Sequence, residues 1–386
     1  MKKFLVVLLI LAVAGGAFAQ LTFNGNVRGG LGIQFTDVKD SNPLLRQYST
    51  REDFNTRFEL TGAYTHADGN AGFNARLRFM NPYHGDAYAF AGVVFNRAEA
   101  WFKMLDGMVE IRGGYVDNEG VFGTGGGVGT ALGSNVGGLG MQFNVAPMDG
   151  LRLRAVVAAA PGNAAANLLT VSGLELWKAS YRFGAEYSLP NLVTVVVLFQ
   201  NTNKVTNLGA GFKILALKDM GITMLNIDAA FNDLQKDSGR MTIQIGQRVE
   251  YAAGDLSLGI RFQQQLRLFD GTTPPSYAPD LNFTGFVQYV LNGTIVPRLD
   301  VGFNVGTNAS GNLRIAGQDV VNRGGFTKDA MSLGIAPSVQ FRFPNSSHHI
   351  DLAYSLKVDL SSGNAKPAST APTMLNWVGL NYGVTF

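Results

Sequence analysis

The chain of 386 residues contains no cysteine. Disulfides, thiolate nucleophiles and thiolate metal sites are thereby excluded. Histidine is nearly as scarce. His66, His84, His348 and His349 are the whole complement, all in or beside links between patterned segments, with no spacing that repeats as a metal or triad partner. Neither an enzyme nor a cofactor-binding or metal-binding protein is expected, and no catalytic residue stands out. Excess charge of one sign is missing too: the formal charge of +3 includes Lys2 and Lys3, so about +1 remains without them. No basic block accompanies it, which argues against nucleic acid as a partner. After residue 19 there is no apolar run of the roughly 20 residues that a membrane-spanning helix needs.

What is present begins with an N-terminal export pattern. Lys2 and Lys3 precede an apolar run from Phe4 to Ala14, and the small-residue stretch Ala14 to Ala19 follows it. This is the three-part layout of a secretory signal, and the apolar run is too short for an anchor. Residues 1–19 are read as a cleaved signal peptide, with Ala17 and Ala19 before the cleaved bond and Gln20 after it. Residues 20–386 are read as one domain, since no linker, low-complexity tail or charge block divides them.

Within that domain, apolar and polar residues alternate. Phe54, Phe58, Leu60 and Tyr64 oppose Asn55, Arg57 and Glu59; Phe73, Ala75, Leu77 and Phe79 oppose Asn74, Arg76 and Arg78. Leu256, Leu258, Ile260 and Phe262 oppose Ser257, Arg261 and Gln263 further on. A period of two is the strand signal, because successive side chains point to opposite faces of a sheet. Many segments hold phase for about ten residues, longer than the five or six usual in soluble domains and typical of membrane strands. Tyrosines recur near segment ends, among them Tyr64, Tyr83, Tyr115, Tyr187, Tyr251, Tyr289 and Tyr382, as an interfacial girdle requires. A membrane-spanning sheet must close, because lipid offers nothing to an open edge. The fold expected is all-β, a transmembrane antiparallel barrel.

Connection lengths count the strands. Eight short links rich in Gly, Asn, Asp and Pro alternate with nine longer or more polar ones, which predicts about 18 strands with both chain ends on the short-turn side. Sixteen is the alternative, because the link at Asn201 to Lys204 is short and Pro337 interrupts its segment.

Val378, Leu380, Tyr382, Val384 and Phe386 occupy every second position up to the terminal phenylalanine. This ending resembles the last strand of Gram-negative outer-membrane barrel proteins, and the stretch from Arg97 to Val116 is similar to the hairpin that precedes the constriction loop of porins. The resemblance implies an integral protein of the outer-membrane lipid, with short periplasmic turns and longer extracellular loops. It implies that Tyr382, Val384 and Phe386 act as the signal read by the barrel-assembly machinery. Trimers are usual among porins, so a homotrimer is expected on the same ground.

A barrel of 16–18 strands leaves an aqueous channel. The expected function is therefore passive diffusion of small hydrophilic solutes and ions. Charged residues belong inside, where water meets them. Pore-lining candidates are Arg76, Arg78, Arg97, Glu99, Trp101, Arg112, Arg152 and Arg154, with Asp117 and Glu119 on a candidate constriction loop at 116–136. Across the inward positions basic residues outnumber acidic ones roughly three to one, which predicts a mild anion preference. Trp101, between Glu99 and Lys103, reads first as a lining residue and second as a platform for a sugar ring. The glycines of that loop lack the strand, helix and Gly-Lys-Ser/Thr ending of a phosphate cradle. Two other functions compete: a substrate-specific channel, and an adhesin or receptor acting through the loops at 36–51, 307–328 and 361–373. A plugged, TonB-dependent transporter is disfavoured, since patterned sequence starts almost at Gln20.

Overall fold

A computed structural model describes residues 20–36, 42–47, 57–80, 93–116, 138–158, 180–202, 205–234, 241–269, 280–306, 314–315, 318–319, 330–360 and 374–386. The expectations placed on residues 1–19, His84, Tyr83, Asp117 and Glu119 lie outside them.

The strands, in chain order, are β1 (Gln20–Thr36), β2 (Leu44–Gln47), β3 (Arg57–Thr65), β4 (Ala71–Met80), β5 (Val93–Met104), β6 (Val109–Val116) and β7 (Gly138–Met148). Then come β8 (Leu151–Ala158), β9 (Ser180–Leu189), β10 (Val193–Thr202), β11 (Val205–Ile214), β12 (Ile222–Asn232), β13 (Met241–Ala253) and β14 (Leu256–Phe269). The last are β15 (Asp280–Tyr289), β16 (Ile295–Gly306), β17 (Arg314–Ile315), β18 (Gln318–Asp319), β19 (Ala330–Arg342), β20 (His349–Asp359) and β21 (Met374–Thr385). Eighteen of them form one antiparallel sheet in which each pairs with the next, and β1 pairs back with β21 from Asn26↔Thr385 to Thr36↔Leu375. The sheet is a closed barrel. β2 is a short addition beside the far half of β1, and β17 and β18 pair separately with each other.

The count of eighteen holds over sixteen. β10 and β11 are distinct strands in register from Val193↔Ile214 to Thr202↔Val205, joined across only two residues. Pro337 lies inside β19. Its ladder to β16 runs through Leu299↔Pro337 without a break, and on the other side the pairing steps from Ile335↔Leu356 to Ser338↔Ala353. One missing N–H thus costs a local gap and not a strand end.

Eight short connections, at 66–70, 105–108, 149–150, 190–192, 215–221, 254–255, 290–294 and 343–348, share one rim with both ends of the sheet. Local chemistry sets them. Asn292 and Gly293 both have positive φ, as the primed hairpin turn requires. In the 66–70 turn, Asn70 N–H donates to Asp68 Oδ1 at 2.9 Å and His66 Nδ1 lies 2.9 Å from the same oxygen, which together hold the Asp68 carboxyl below the usual carboxylate range.

The turn at 105–108 departs from these preferences, because Leu105 itself has φ +53 and its side chain is exposed. A left-handed leucine is strained by about 1–2 kcal/mol, which asparagine largely relieves. Leu105→Asn is expected to stabilise the barrel by about 1 kcal/mol in urea unfolding from detergent micelles.

The seam closes on the terminal residue. Gly25 and Phe386 exchange both backbone hydrogen bonds at 2.8 and 2.9 Å. The Phe386 ring lies where a Gly25 side chain would be, 2.7 Å from an added Cβ, and stacks on Phe58 at 6.3 Å.

Candidate functional site in the barrel lumen

Burial is inverted relative to a soluble domain. Gln34, Glu59, Glu99, Arg182, Glu186, Asn226, Asp228, Asp300, Asp351 and Asn381 are buried, while Leu31, Phe183, Ile260, Leu352 and Leu380 on the opposite phase are exposed, Leu380 by 54%. The barrel exterior is an apolar surface that water would not tolerate at this size, and no described helix is long and apolar enough to cross a membrane. A closed sheet with apolar side chains outward and ionised ones inward is a membrane-spanning barrel.

The inner wall from β4 to β9 carries most of the predicted residues. Arg76, Arg97, Lys103, Arg112, Arg152, Arg154 and Arg182 face inward there against three carboxylates, Glu99, Glu110 and Glu186, among the side chains described. Strand pairing groups them. Trp101↔Arg112 and Lys103↔Glu110 are cross-strand partners on β5 and β6, and Arg152↔Glu186 on β8 and β9. Arg112 donates to Glu99 Oε1 at 2.8 Å through NH1 and to Glu110 Oε1 at 2.6 Å through Nε. Asn74 and Asn144 add amide donors to Glu99 and Glu110 at 3.2 and 2.8 Å. Arg97 Nε stands 3.9 Å from Glu99, and Arg76 Nε 3.9 Å from Glu59 on β3. Arg152, with 72% of its side chain exposed, reaches Glu186 at 3.9 Å. Arg182 is held by a neutral partner, its Nε and NH2 both donating to Gln200 Oε1.

The remaining wall is more nearly balanced. Arg248 pairs with Glu250 on β13, and Arg298 binds Asp300 with both carboxylate oxygens at 2.7–3.1 Å on β16. Arg342 donates to Gln340, which in turn donates to Asp351 at 3.0 Å. Between these pairs lie amides and hydroxyls, with Asn232 donating to Thr242 and Gln244 at 3.3–3.4 Å.

Two lumenal aromatic rings lie flat on cross-strand glycines. Trp101 covers Gly72, whose added Cβ would be 2.6 Å from the indole, and Lys103 Nζ stands 5.1 Å from the ring centre. Phe286 covers Gly259 in the same way, with the Arg298 guanidinium 4.1 Å from its centre. One face of the Trp101 ring thus lies against the wall, with a cation beside the ring.

Seven predicted lining residues therefore share one lumen: Arg76, Arg97, Glu99, Trp101, Arg112, Arg152 and Arg154. Arg78 falls on β4 at the inward phase, but its side chain is outside the description. Arg182 and Asn74 lie on the inward phase that the alternation predicts, and the amides Asn144 and Gln200 join them there. Their inward phase was legible, but nothing in a sequence tells which amide will clamp which guanidinium. Among the histidines, His348 sits in the 343–348 turn with Nδ1 2.6 Å from the Tyr382 hydroxyl. His349 stands beside that turn, where it opens β20 over Gly383, 3.7 Å from Asp351. The described residues contain no cluster of three metal-capable side chains.

No protein-family model and no curated protein sequence matches the chain. Solved structures do. Acinetobacter baumannii OccAB3 is 10% identical over 95% of this chain and 99% of its own, with a TM-score of 0.59. A BenF-like porin from Pseudomonas fluorescens Pf-5 is 11% identical over 95% and 99%, with a TM-score of 0.59. Pseudomonas aeruginosa OpdL is 10% identical over 95% and 99%, with a TM-score of 0.55. At that identity the likeness is one of fold, and it extends over nearly the whole of each chain. The protein is a closed 18-stranded antiparallel β-barrel with the fold of these solved outer-membrane barrels.

Proposed function

We propose that the protein is an integral outer-membrane channel through which small hydrophilic solutes and ions diffuse passively, with a mild preference for anions. The observation that carries this reading is the sorting of side chains: ionised and amide groups inward, large apolar groups outward, around a sheet of eighteen strands. The anion preference rests on the excess of guanidinium groups on β4 to β9. The same reading takes residues 1–19 as a signal removed before Gln20, Tyr382, Val384 and Phe386 as the assembly signal, and a homotrimer as the assembled state.

A constriction formed by 116–136 belongs to it as well. Val116, Val156 and Ala158 are fully buried although they point into the lumen, and Val196 and Leu198 nearly so. Apolar side chains on the wet face need a cover, and the segment that starts at Val116 is long enough to provide it; a constriction there would set the carboxylates of Asp117 and Glu119 against the arginines.

Single-channel recording in planar bilayers tests the function. A large conductance that rises linearly with salt, with a reversal potential on the anion side, is expected for the diffusion channel. Block by micromolar solute would make it substrate-specific, and a silent barrel would return the adhesin or receptor reading.

A further inference from the structure

The outer face of the barrel is interrupted at mid-depth by two amides. Gln247 on β13 pairs in register with Ile227 and Phe262, both outward, and its side chain is exposed on the apolar face. Gln264 on β14 pairs with Ile245 and Leu281, also outward, one diagonal step from Gln247. Other outward polar groups in the described strands lie near strand ends and are paired there: Asn376 accepts from the Tyr354 hydroxyl at 2.5 Å, and Thr206 donates to Asn201 at 3.3 Å. Gln247 and Gln264 have no hydrogen-bond partner among the described residues.

Their depth excludes rescue by water. Gln247 stands six residues from Ala253 at the short-turn rim and four from the outward Tyr251. With about 2.5 Å of height per tilted residue, it lies about 10 Å inside the tyrosine level, near the middle of an apolar band about 25 Å tall. A bare amide facing acyl chains loses its hydrogen bonds without recompense.

We infer that the outer face of β13 and β14, centred on Gln247 and Gln264, is an interface that packs against a second copy of this chain within the membrane. Glutamine carries a donor and an acceptor on one group, so the same amides on a neighbouring copy satisfy it; around the three-fold axis of the proposed trimer the patch would meet its own kind among apolar side chains, with no formal charge. The inference rests on the membrane reading of the barrel.

The cysteine-free sequence makes the test clean. Val249→Cys places one thiol on the outward phase of β13 beside the patch, and Leu60→Cys places one on β3, on the far side of the barrel. In lipid vesicles, a short bismaleimide is expected to give a covalent dimer of Val249→Cys and about tenfold less from Leu60→Cys. Adding Gln247→Leu and Gln264→Leu to Val249→Cys is expected to lower the dimer yield about tenfold, the scale of one or two membrane hydrogen bonds. Equal yields from the two cysteines, a yield unchanged by the leucines, or a product containing a different polypeptide overturns the interface. Flotation of the vesicles keeps the two readings apart. Protein that floats without cross-linking defeats this inference alone, and protein that does not float defeats the membrane reading with it.

Discussion

Neutralising Arg76, Arg97 and Arg152 together by glutamine is expected to lower the anion-to-cation permeability ratio of the channel about tenfold, read as a shift of reversal potential under a salt gradient. The size follows from Coulomb's law. An elementary charge about 7 Å from a passing ion in a water-like medium is worth about 0.6 kcal/mol, close to thermal energy, so each removal changes the local anion population about threefold. Three removals multiply, and screening at 0.1 M salt, with a Debye length of about 10 Å, trims the product. Arg152 is expected to give the largest single share. Most of its side chain is exposed, and among the described residues its ion pair is to Glu186, long at 3.9 Å. A ratio unmoved by the triple variant would mean that the β4 to β9 wall does not set selectivity.

Much of this arrangement was legible in the sequence, and for a definite reason. A membrane barrel writes its fold in a two-residue period, because lipid penalises a polar residue outside and water accepts one inside. The phase of Arg76, Glu99, Arg112 and Arg154 therefore gave their face directly, and the alternation of short and long links gave the strand count. Pro337 and the two-residue link after Thr202 argued for sixteen strands only because sequence reasoning counts every proline and every close pair of segments as a break. In the sheet, the continuous ladder to β16 tolerates the proline. The partners of the charges were not legible. That Arg182 rests on Gln200 while Arg112 rests on Glu99 depends on register across neighbouring strands, which the period leaves open. Gln247 and Gln264 were invisible for the opposite reason: a polar residue in an apolar phase reads as noise until the flanking strands show that nothing answers it.

The greatest loss of stability from a single lumenal change is expected at Glu99. Its side chain is fully buried, and Oε1 accepts from Arg112 NH1 at 2.8 Å and from Asn74 at 3.2 Å, with Arg97 Nε at 3.9 Å. Glu99→Gln keeps the shape and removes the charge, leaving Arg112 to share Glu110 with Lys103 and Asn144. Breaking a buried ion pair from one side costs about 3–5 kcal/mol in a dry interior; the Arg112 side chain is 26% exposed and keeps a second carboxylate, so about 2–3 kcal/mol is expected here. Arg112→Gln alone should cost a similar amount, for it strands Glu99 and Glu110 together. The double variant removes the charges in balance, and its loss should fall short of the sum of the single losses by about 1–3 kcal/mol. Urea unfolding of the four proteins in micelles reads that coupling. Additive losses would mean that the two side chains act separately and that the pair does not organise the β5–β6 wall. The same four proteins divide stability from selectivity. Glu99→Gln should move the reversal potential further toward anions while Arg112→Gln moves it toward cations, although both weaken the fold. A purely structural role for the pair would shift neither.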